Sequence, residues 1–296
     1  NVSMTGSTKT GFKLLFNMRI ALLPDEYLPS GTRVHSKMIH ELSLELKKNN
    51  HEVVVITPGH WNQEPLLIDF LDGIEVWRFK SGRTRGAGRI KRAINEWLLP
   101  IMAWKAISKK VKEDPFDLCI NYSPTIFFGP LALKLKKNGA FVYLILRDFF
   151  PQWAIDHGLI REGSLIEKFF RYYENINYKT ADRIGVQSER NLEILRSILP
   201  SNDNLEVLYN WSITTPLTKE NRSTDFRSKF NLTNKVIFFY GGNTGKAQDM
   251  RNIMRLAKNL LNEDQAHILI IGQGDEFRLI EKLKEKWNLK NVTILP

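Results

Sequence analysis

The chain has 296 residues, of which 43% are hydrophobic and 25% are charged, and its formal net charge is +11. This composition is typical of a soluble globular protein and suffices for two domains with hydrophobic cores. The single cysteine, Cys119, excludes an internal disulfide and is expected to be a small buried side chain in a reducing cytoplasm. No apolar run reaches the roughly 18 residues that a membrane-spanning helix needs.

The first segment, 1–17, is polar and small and is expected to be an extension or a disordered leader. Lysines precede an apolar stretch there, as they do in a signal peptide. Asn17 and Arg19 interrupt that stretch, however, and no small-residue cleavage site follows. We therefore expect the folded unit to begin at Met18.

From Met18 onward, short apolar runs alternate with amphipathic segments, which indicates an α/β domain with a parallel sheet over 18–211. Strands are predicted at 19–23, 52–57, 74–79, 118–121, 142–146, 184–186 and 205–209. Helices are predicted at 36–48, 89–112, 126–137, 164–180 and 189–199. The polar segment 212–223 is predicted to be a linker.

The same alternation resumes after the linker, so 224–296 is predicted to be a second parallel-sheet domain. Strands are predicted at 235–240, 267–271 and 291–295, with one helix through 253–260 and another through 277–287. Three strands are half of an ordinary doubly wound sheet. The second domain is therefore expected to be incomplete.

The first two strands of this second domain each end in a glycine-rich turn that leads into a helix. Such turns bring bare backbone N–H groups and a helix N-terminus to one point, which suits a phosphate. The spacing matches neither GxxxxGK[ST] nor GxGxxG. The candidate ligand-binding residues are Gly242, Asn243, Thr244, Lys246, Gln248, Gly272, Gly274 and Asp275. The alternatives are ordinary turns and, for the lysine, a solvated side chain.

The positive charge is concentrated in one segment, 78–112, which holds eleven Lys or Arg residues and a single acidic residue, Glu96. A basic amphipathic helix that also bears tryptophans is typical of a membrane interface with anionic lipids. The predicted docking residues are Arg89, Lys91, Arg92, Trp97 and Trp104. A solvated helix packed on the sheet is the alternative. Nucleic acid is disfavoured because no helix-turn-helix, zinc ligand or aromatic RNA platform accompanies the segment.

Several motifs, in a fixed order, resemble the family-four retaining glycosyltransferases. They lie at 18–24, at the loop of Gly31, at 50–57, at 147–153, at 181–184 with Ser188, at 209–211 and at 242–245. The Arg-Asp-x-x-Pro-Gln block at 147–152 is most similar to O-antigen and capsule sugar transferases of the fucosamine-transferase type. The resemblance covers roughly 18–296.

The resemblance implies a GT-B architecture, in which two Rossmann-like domains bind the acceptor and the nucleotide-sugar, respectively. It implies a UDP-linked donor at the glycine-rich turns, a lipid-diphosphate-linked saccharide acceptor, and neither a metal nor another cofactor. The positive charge that stabilises the leaving diphosphate must then come from helix termini and basic side chains, with Lys246 as the candidate. The implied location is the cytoplasmic face of the plasma membrane.

The catalytic candidate is Asp148, because it follows the predicted strand 142–146 at the edge where ligands meet a parallel sheet. In the family this strand end faces the cleft that holds the transferred sugar and the acceptor hydroxyl. Arg147 and Gly31 are the acceptor-binding candidates. The alternatives are that Asp148 caps the turn before Pro151 with Arg147 as its ion partner, and that Gly31 is a plain turn glycine.

The sequence departs from the family at its end. Beyond the third strand of the second domain, the family has a Glu-x7-Glu segment that contacts the donor sugar and ribose, and a C-terminal helix. Neither lies within these 296 residues, so we expect a partial nucleotide pocket and weak or absent turnover. A non-catalytic fragment that acts as a binding module is one alternative. A nucleotide-dependent oxidoreductase is another, disfavoured by the glycine spacing.

Overall fold

The computed structural model describes residues 17–31, 33–59, 61–83, 88–123, 125–214 and 226–296. The chain divides into two compact units between residues 214 and 215, and each unit is described by itself. The predicted linker, 212–223, lies mostly outside the described residues, as does the leader up to residue 16.

Within the described residues, unit 1 contains one eight-stranded sheet. The strands are β1 (Arg19–Leu23), β2 (Glu52–Gly59), β3 (Leu66–Leu71), β4 (Ile74–Lys80), β5 (Leu118–Ser123), β6 (Phe141–Leu146), β7 (Arg183–Val186) and β8 (Leu205–Val207). Their order is β3-β4-β2-β1-β5-β6-β7-β8. Pairing is parallel except between β3 and β4, which are antiparallel.

The sheet reverses its strand order at β1. Leu22 of β1 pairs with Val55 of β2 on one side and with Ile120 of β5 on the other. The chain therefore builds outward from β1 in both directions, and β1 and β5 flank the switch point. In open α/β sheets, ligands bind at the carboxyl ends of the strands beside this point.

Helices cover both faces of the unit 1 sheet. They are α1 (Val34–Lys48), α2 (Arg89–Glu113), α3 (Gly129–Lys137), α4 (Gln152–Asp156), α5 (Leu165–Thr180) and α6 (Glu189–Ile198). A single-turn 3-10 helix, Ile126–Phe128, precedes α3. Alternate residues of β1 face opposite cores: Ala21 and Leu23 pack with α2 and α3, whereas Ile20 and Leu22 pack with Ile39 of α1.

Unit 2 contains a three-stranded parallel sheet within the described residues, in the order β11-β10-β9. The strands are β9 (Val236–Gly241), β10 (Ala266–Ile271) and β11 (Val292–Leu295), and the helices are α7 (Phe226–Lys229), α8 (Met250–Asn259) and α9 (Phe277–Lys286). The core includes Met250 and Met254 of α8, Ile270 of β10 and Ile280 of α9. Phe238 and Phe239 on the edge strand β9 are exposed.

The predicted fold class, α/β with two parallel-sheet domains, is confirmed. The sequence did not predict β3 or α4. The strand β3 is half exposed and lies at the sheet edge, antiparallel to β4, and Asp69 interrupts its apolar run. Cys119 is free and buried, as expected. Among the described helices, none has both the length and the hydrophobicity to cross a membrane.

Candidate functional site

A cavity of about 320 Å³ opens at the carboxyl edge of the unit 1 sheet, beside the switch point. Its walls come from the first turns of α1, the end of β5, and the loops after β6 and β7. The lining residues are Val34, His35, Met38, Tyr122, Arg147, Asp148 and Gln187. Parallel pairing of these strands explains why side chains so distant in sequence meet here.

Arg147 is fixed from two directions. Its guanidinium donates a hydrogen bond to Oδ1 of Asn210 and lies 5.9 Å from the centre of the Tyr122 ring. Its backbone carbonyl accepts a hydrogen bond of 2.5 Å from Nε2 of Gln187. A guanidinium held in this way is preorganised to bind a phosphate or carboxylate in the cavity.

Asp148 lies beside Arg147 in the cavity wall, as the sequence predicts for a residue at this strand end. Its side chain is exposed by surface area, yet enough protein surrounds the carboxyl that partial burial raises its pKa, and Arg147 lowers that pKa only in part. Within the described residues no ion pair joins Asp148 to Arg147, and α4 receives no side-chain cap. The carboxyl is therefore open to a ligand.

A histidine and two carboxylates that the sequence analysis missed lie at the same edge. Nε2 of His35 is 3.0 Å from Oδ1 of Asp25 and 3.9 Å from Oε1 of Glu26, and the His35 ring lies 5.6 Å from that of Tyr122. The Asp25 and His35 atoms are buried within ion-pair distance, but neither has a well-aligned hydrogen bond among the described residues. The signal in the sequence was an acidic pair directly after β1, followed by a histidine in the first turn of the next helix.

Gly31 is buried in the loop between β1 and α1. A Cβ atom at this position would lie 2.4 Å from Oγ of Ser36 and 2.9 Å from the carbonyl oxygen of Tyr27. The Gly31 N–H donates to that same carbonyl at 2.8 Å. Close packing of the loop thus explains the glycine, and Gly31 does not line the cavity.

In unit 2, the two glycine-rich turns pack backbone against backbone. A Cβ atom on Gly272 would lie 1.8 Å from the carbonyl oxygen of Gly242, and one on Gly274 would lie 2.6 Å from that of Thr244. Gly242 N–H donates to Ile271 at 3.0 Å, and Thr244 N–H donates to Gln273 at 3.0 Å. Gly272 and Gly274 therefore have a packing role, and two N–H groups of the first turn are already bonded.

The side chains of the first turn differ in whether they have hydrogen-bond or ion-pair partners. Asn243 donates to Oε1 of Gln248 at 3.1 Å, so these two predicted side chains bind each other. The side chain of Thr244 is fully buried, and its Oγ1 has no hydrogen-bond partner within the described structure. Lys246 and Asp275 are exposed, and the ammonium of Lys246 has no ion-pair partner in that part of the chain.

The first backbone N–H of α8 donates a hydrogen bond to a carboxylate that the sequence did not predict there. Oε2 of Glu276 accepts a hydrogen bond of 3.3 Å from the N–H of Met250, the first residue of the helix. A carboxylate here is stabilised by the helix dipole. An anionic ligand at this helix end would therefore meet both the Glu276 carboxylate and the Lys246 ammonium.

The predicted membrane-docking residues do not share one environment. Lys91 is exposed, and Arg92 pairs with Glu96 at 2.7 Å, while the Arg89 side chain lies outside the described part. Trp97 is 39% exposed. Trp104 packs against the core, with Nζ of Lys134 at 5.0 Å from its ring centre.

Across the described ranges, no group of three His, Cys, Asp or Glu side chains is placed to hold a metal ion.

Comparison with known proteins gives several matches. WcaI of Escherichia coli strain K12, whose name assigns it to colanic acid biosynthesis as a glycosyl transferase, is 24% identical over 305 aligned positions, which cover 94% of this chain and 72% of WcaI. WbjE of Pseudomonas aeruginosa, named as a glycosyltransferase, is 23% identical over 166 positions, covering 55% of this chain and 40% of WbjE.

Solved structures share the fold. Sucrose-phosphate synthase from Thermosynechococcus elongatus superposes with a TM-score of 0.65 at 15% identity, covering 94% of this chain and 70% of that one. WaaG, a glycosyltransferase of lipopolysaccharide biosynthesis, gives 0.56 at 14% identity, covering 93% and 69%. The α/β units are those of GT-B glycosyltransferases. Residues 35–212 also match the sequence profile of Glycosyltransferase Family 4. This chain is therefore a member of Glycosyltransferase Family 4, a family of sugar-transferring enzymes.

Proposed function

We propose that this protein transfers a sugar from a UDP-linked donor to a lipid-diphosphate-linked saccharide during synthesis of a bacterial surface polysaccharide, with retention of anomeric configuration and without a metal. The relatives named for colanic acid and lipopolysaccharide biosynthesis support the polysaccharide class. The block from Arg147 to Gln152 supports the O-antigen and capsule branch of fucosamine type. The observation that carries the proposal is the cavity at the switch point, lined by Arg147 and Asp148.

The acceptor site of this proposal is the unit 1 cavity. Arg147 binds an acidic group of the acceptor, because its guanidinium is fixed by Asn210 and its backbone by Gln187. Asp148 contacts the reacting hydroxyl or the transferred sugar, and partial burial raises the pKa of its carboxyl above the ordinary value. His35 and Asp25 add hydrogen-bonding groups for further hydroxyls.

The donor site of this proposal is the first glycine-rich turn of unit 2. Lys246 supplies the positive charge that stabilises the leaving diphosphate, because the Glu276 carboxylate already accepts a hydrogen bond from the start of α8. Gly242 leaves the backbone accessible, because the nearest atom to a Cβ placed there is Oη of Tyr240 at 3.8 Å. Asp275, which follows the second turn and is exposed, contacts the ribose in this proposal.

The experiment is calorimetric titration of the protein with UDP and, separately, with NAD. Binding of UDP without binding of NAD is the expected result. Binding of NAD instead would replace the transferase proposal with an oxidoreductase. Incubation with UDP-sugars then measures donor hydrolysis, which separates an active transferase from a binding module.

The lipid-linked acceptor places the protein on the cytoplasmic face of the plasma membrane, bound peripherally. The basic segment of α2 supports this location, since Lys91 and Arg92 are exposed on its first turns. The same segment gives no support to nucleic-acid binding, because no base-reading element accompanies it.

A further inference from the structure

An exposed aromatic and aliphatic surface lies on unit 1 beside the acceptor cavity. We call it the aromatic surface and define it by six residues: Trp97 of α2, Trp153 of α4, and Leu165, Ile166, Phe169 and Tyr172 of α5. Their exposed fractions are 39%, 44%, 83%, 60%, 41% and 61%, respectively. Exposed apolar residues are normal when scattered singly, but a contiguous group marks an interaction site.

The members of the aromatic surface are connected through ring contacts. Nε1 of Trp97 donates a hydrogen bond of 2.5 Å to the hydroxyl of Tyr173, and the Tyr173 ring lies 5.2 Å from that of Phe169. Phe127, in the turn directly after β5, contacts both Phe169 and Tyr173. The surface is therefore continuous from α2 to α5 and rests on a buried aromatic residue at the sheet edge.

A second chain of rings joins the surface to the loop of Asp148. Phe150 lies 6.0 Å from Trp153 and 4.8 Å from Phe170, measured between ring centres. Phe150 follows Asp148 by two residues in the sequence. The carboxyl ends of β5 and β6 thus position both the acceptor cavity and the aromatic surface at the same edge of unit 1.

The polar groups around the surface fit a lipid bilayer with anionic headgroups. Four cationic side chains around the surface are exposed: Lys91, Lys105, Arg161 and Lys168. Two acidic side chains there, Asp156 and Glu162, are also exposed, whereas Glu96 and Glu167 are paired with Arg92 and Arg171. The net exposed charge is therefore cationic. Trp and Tyr, which combine an apolar ring with a polar tip, are the side chains enriched at membrane–water interfaces.

We infer that the aromatic surface inserts into the headgroup region of an anionic bilayer and that it, rather than α2 alone, holds the enzyme on the membrane. This inference rests on the proposed lipid-linked acceptor, because it delivers the diphosphate of such an acceptor to the edge where Arg147 and Asp148 lie. Trp104 takes no part, since it packs against the core. The helix α5 supplies most of the inserted area.

The experiment is co-sedimentation of the whole chain with vesicles of phosphatidylglycerol and phosphatidylcholine, compared with vesicles of phosphatidylcholine alone. The test variant combines Leu165→Gln, Ile166→Gln and Tyr172→Ser, all at exposed positions. The matched control combines Ile194→Gln and Ile198→Gln, which are exposed on α6. Loss of three inserted side chains is expected to weaken vesicle binding by about tenfold or more, and the control by less than about twofold.

Salt separates the two parts of the binding. Lys91→Glu with Lys168→Glu is expected to remove the salt-sensitive part, and the α5 variant the salt-resistant part. Parent-like sedimentation of the α5 variant overturns the inference. So does a change in oligomeric state of that variant, measured by light scattering without vesicles, because it identifies a protein interface. UDP titration of the same variants stays at the parental value, so a failure here is distinct from a failure of the transferase proposal.

Discussion

The cavity of unit 1 and the glycine-rich turns of unit 2 both lie at the carboxyl ends of parallel strands, but they are formed by different means. The cavity presents polar and charged side chains, Arg147, Asp148 and His35, and its walls come from α1, the end of β5 and the loops after β6 and β7. The turns use glycines to bring two backbone segments into contact, Gly272 on Gly242 and Gly274 on Thr244. Side chains thus line the cavity in unit 1, whereas much of the glycine pattern in unit 2 serves packing.

The largest expected effect tests the packing role of the second turn. Gly272→Ala places a methyl group 1.8 Å from the backbone oxygen of Gly242. Only a movement of the main chain can relieve this steric clash. Unit 2 should lose about 3 kcal/mol or more of unfolding free energy, at the upper end of overpacking effects. Urea unfolding measures this loss. The control is Gly88→Ala, where no atom lies within 4 Å of the added Cβ. Equal stability of both variants would contradict the packing role.

The next effect tests whether the charge in the cavity is catalytic. Asp148→Asn keeps the shape and removes the carboxylate, so sugar transfer should fall by about 10²–10⁴-fold with folding unchanged. Because burial raises the pKa of Asp148, the parent should lose activity as the pH falls through that raised pKa, and the Asn variant should lack this acid limb. The control is Asp203→Asn, at an exposed position just before β8, at the amino-terminal edge of the parallel strands. Activity within a few-fold of the parent, or an unchanged acid limb, would make Asp148 structural.

A smaller effect tests whether the first glycine-rich turn of unit 2 binds the diphosphate of the proposed donor. Lys246→Ala should weaken UDP binding by about 1.5–3 kcal/mol, the loss of one charge-assisted contact, which is about tenfold or more in Kd. Lys282→Ala, at an exposed position on α9, is the matched control. Calorimetry decides between them. If both variants bind UDP like the parent, the diphosphate does not bind at this turn.

The sequence predicted the fold because its parallel strands are buried on both faces and are therefore continuous apolar runs, as in β1 and β6. It predicted that Arg147 and Asp148 lie at the carboxyl edge of the sheet because the end of β6 fixes their position. It missed Asp25 and His35, whose meeting depends on how the loop after β1 turns into α1.

Nor could the sequence distinguish two tryptophans on α2 that lie seven residues apart, on nearly the same helical face. Trp104 is covered by Lys134 of α3. Trp97, two turns earlier, reaches Tyr173 at the edge of the unit and remains partly exposed. The elements that pack against each part of a helix, and not the periodicity of the helix itself, determine which of its side chains are exposed.

The smallest expected effect concerns the residue that orients Arg147. Oδ1 of Asn210 accepts a hydrogen bond from the guanidinium, and the next residue, Trp211, donates from Nε1 to the carbonyl of Met38 at 3.1 Å. Asn210→Ala removes the first of these contacts at an exposed position, a loss of about 0.5–1.5 kcal/mol. Because Asn210 acts through Arg147, KM for the acceptor should rise about two- to tenfold, while kcat and UDP affinity stay at parental values. Asn210→Asp keeps an acceptor oxygen and should restore the parental KM. A fall in kcat without a change in KM would show that Arg147 does not depend on Asn210 to bind the acceptor.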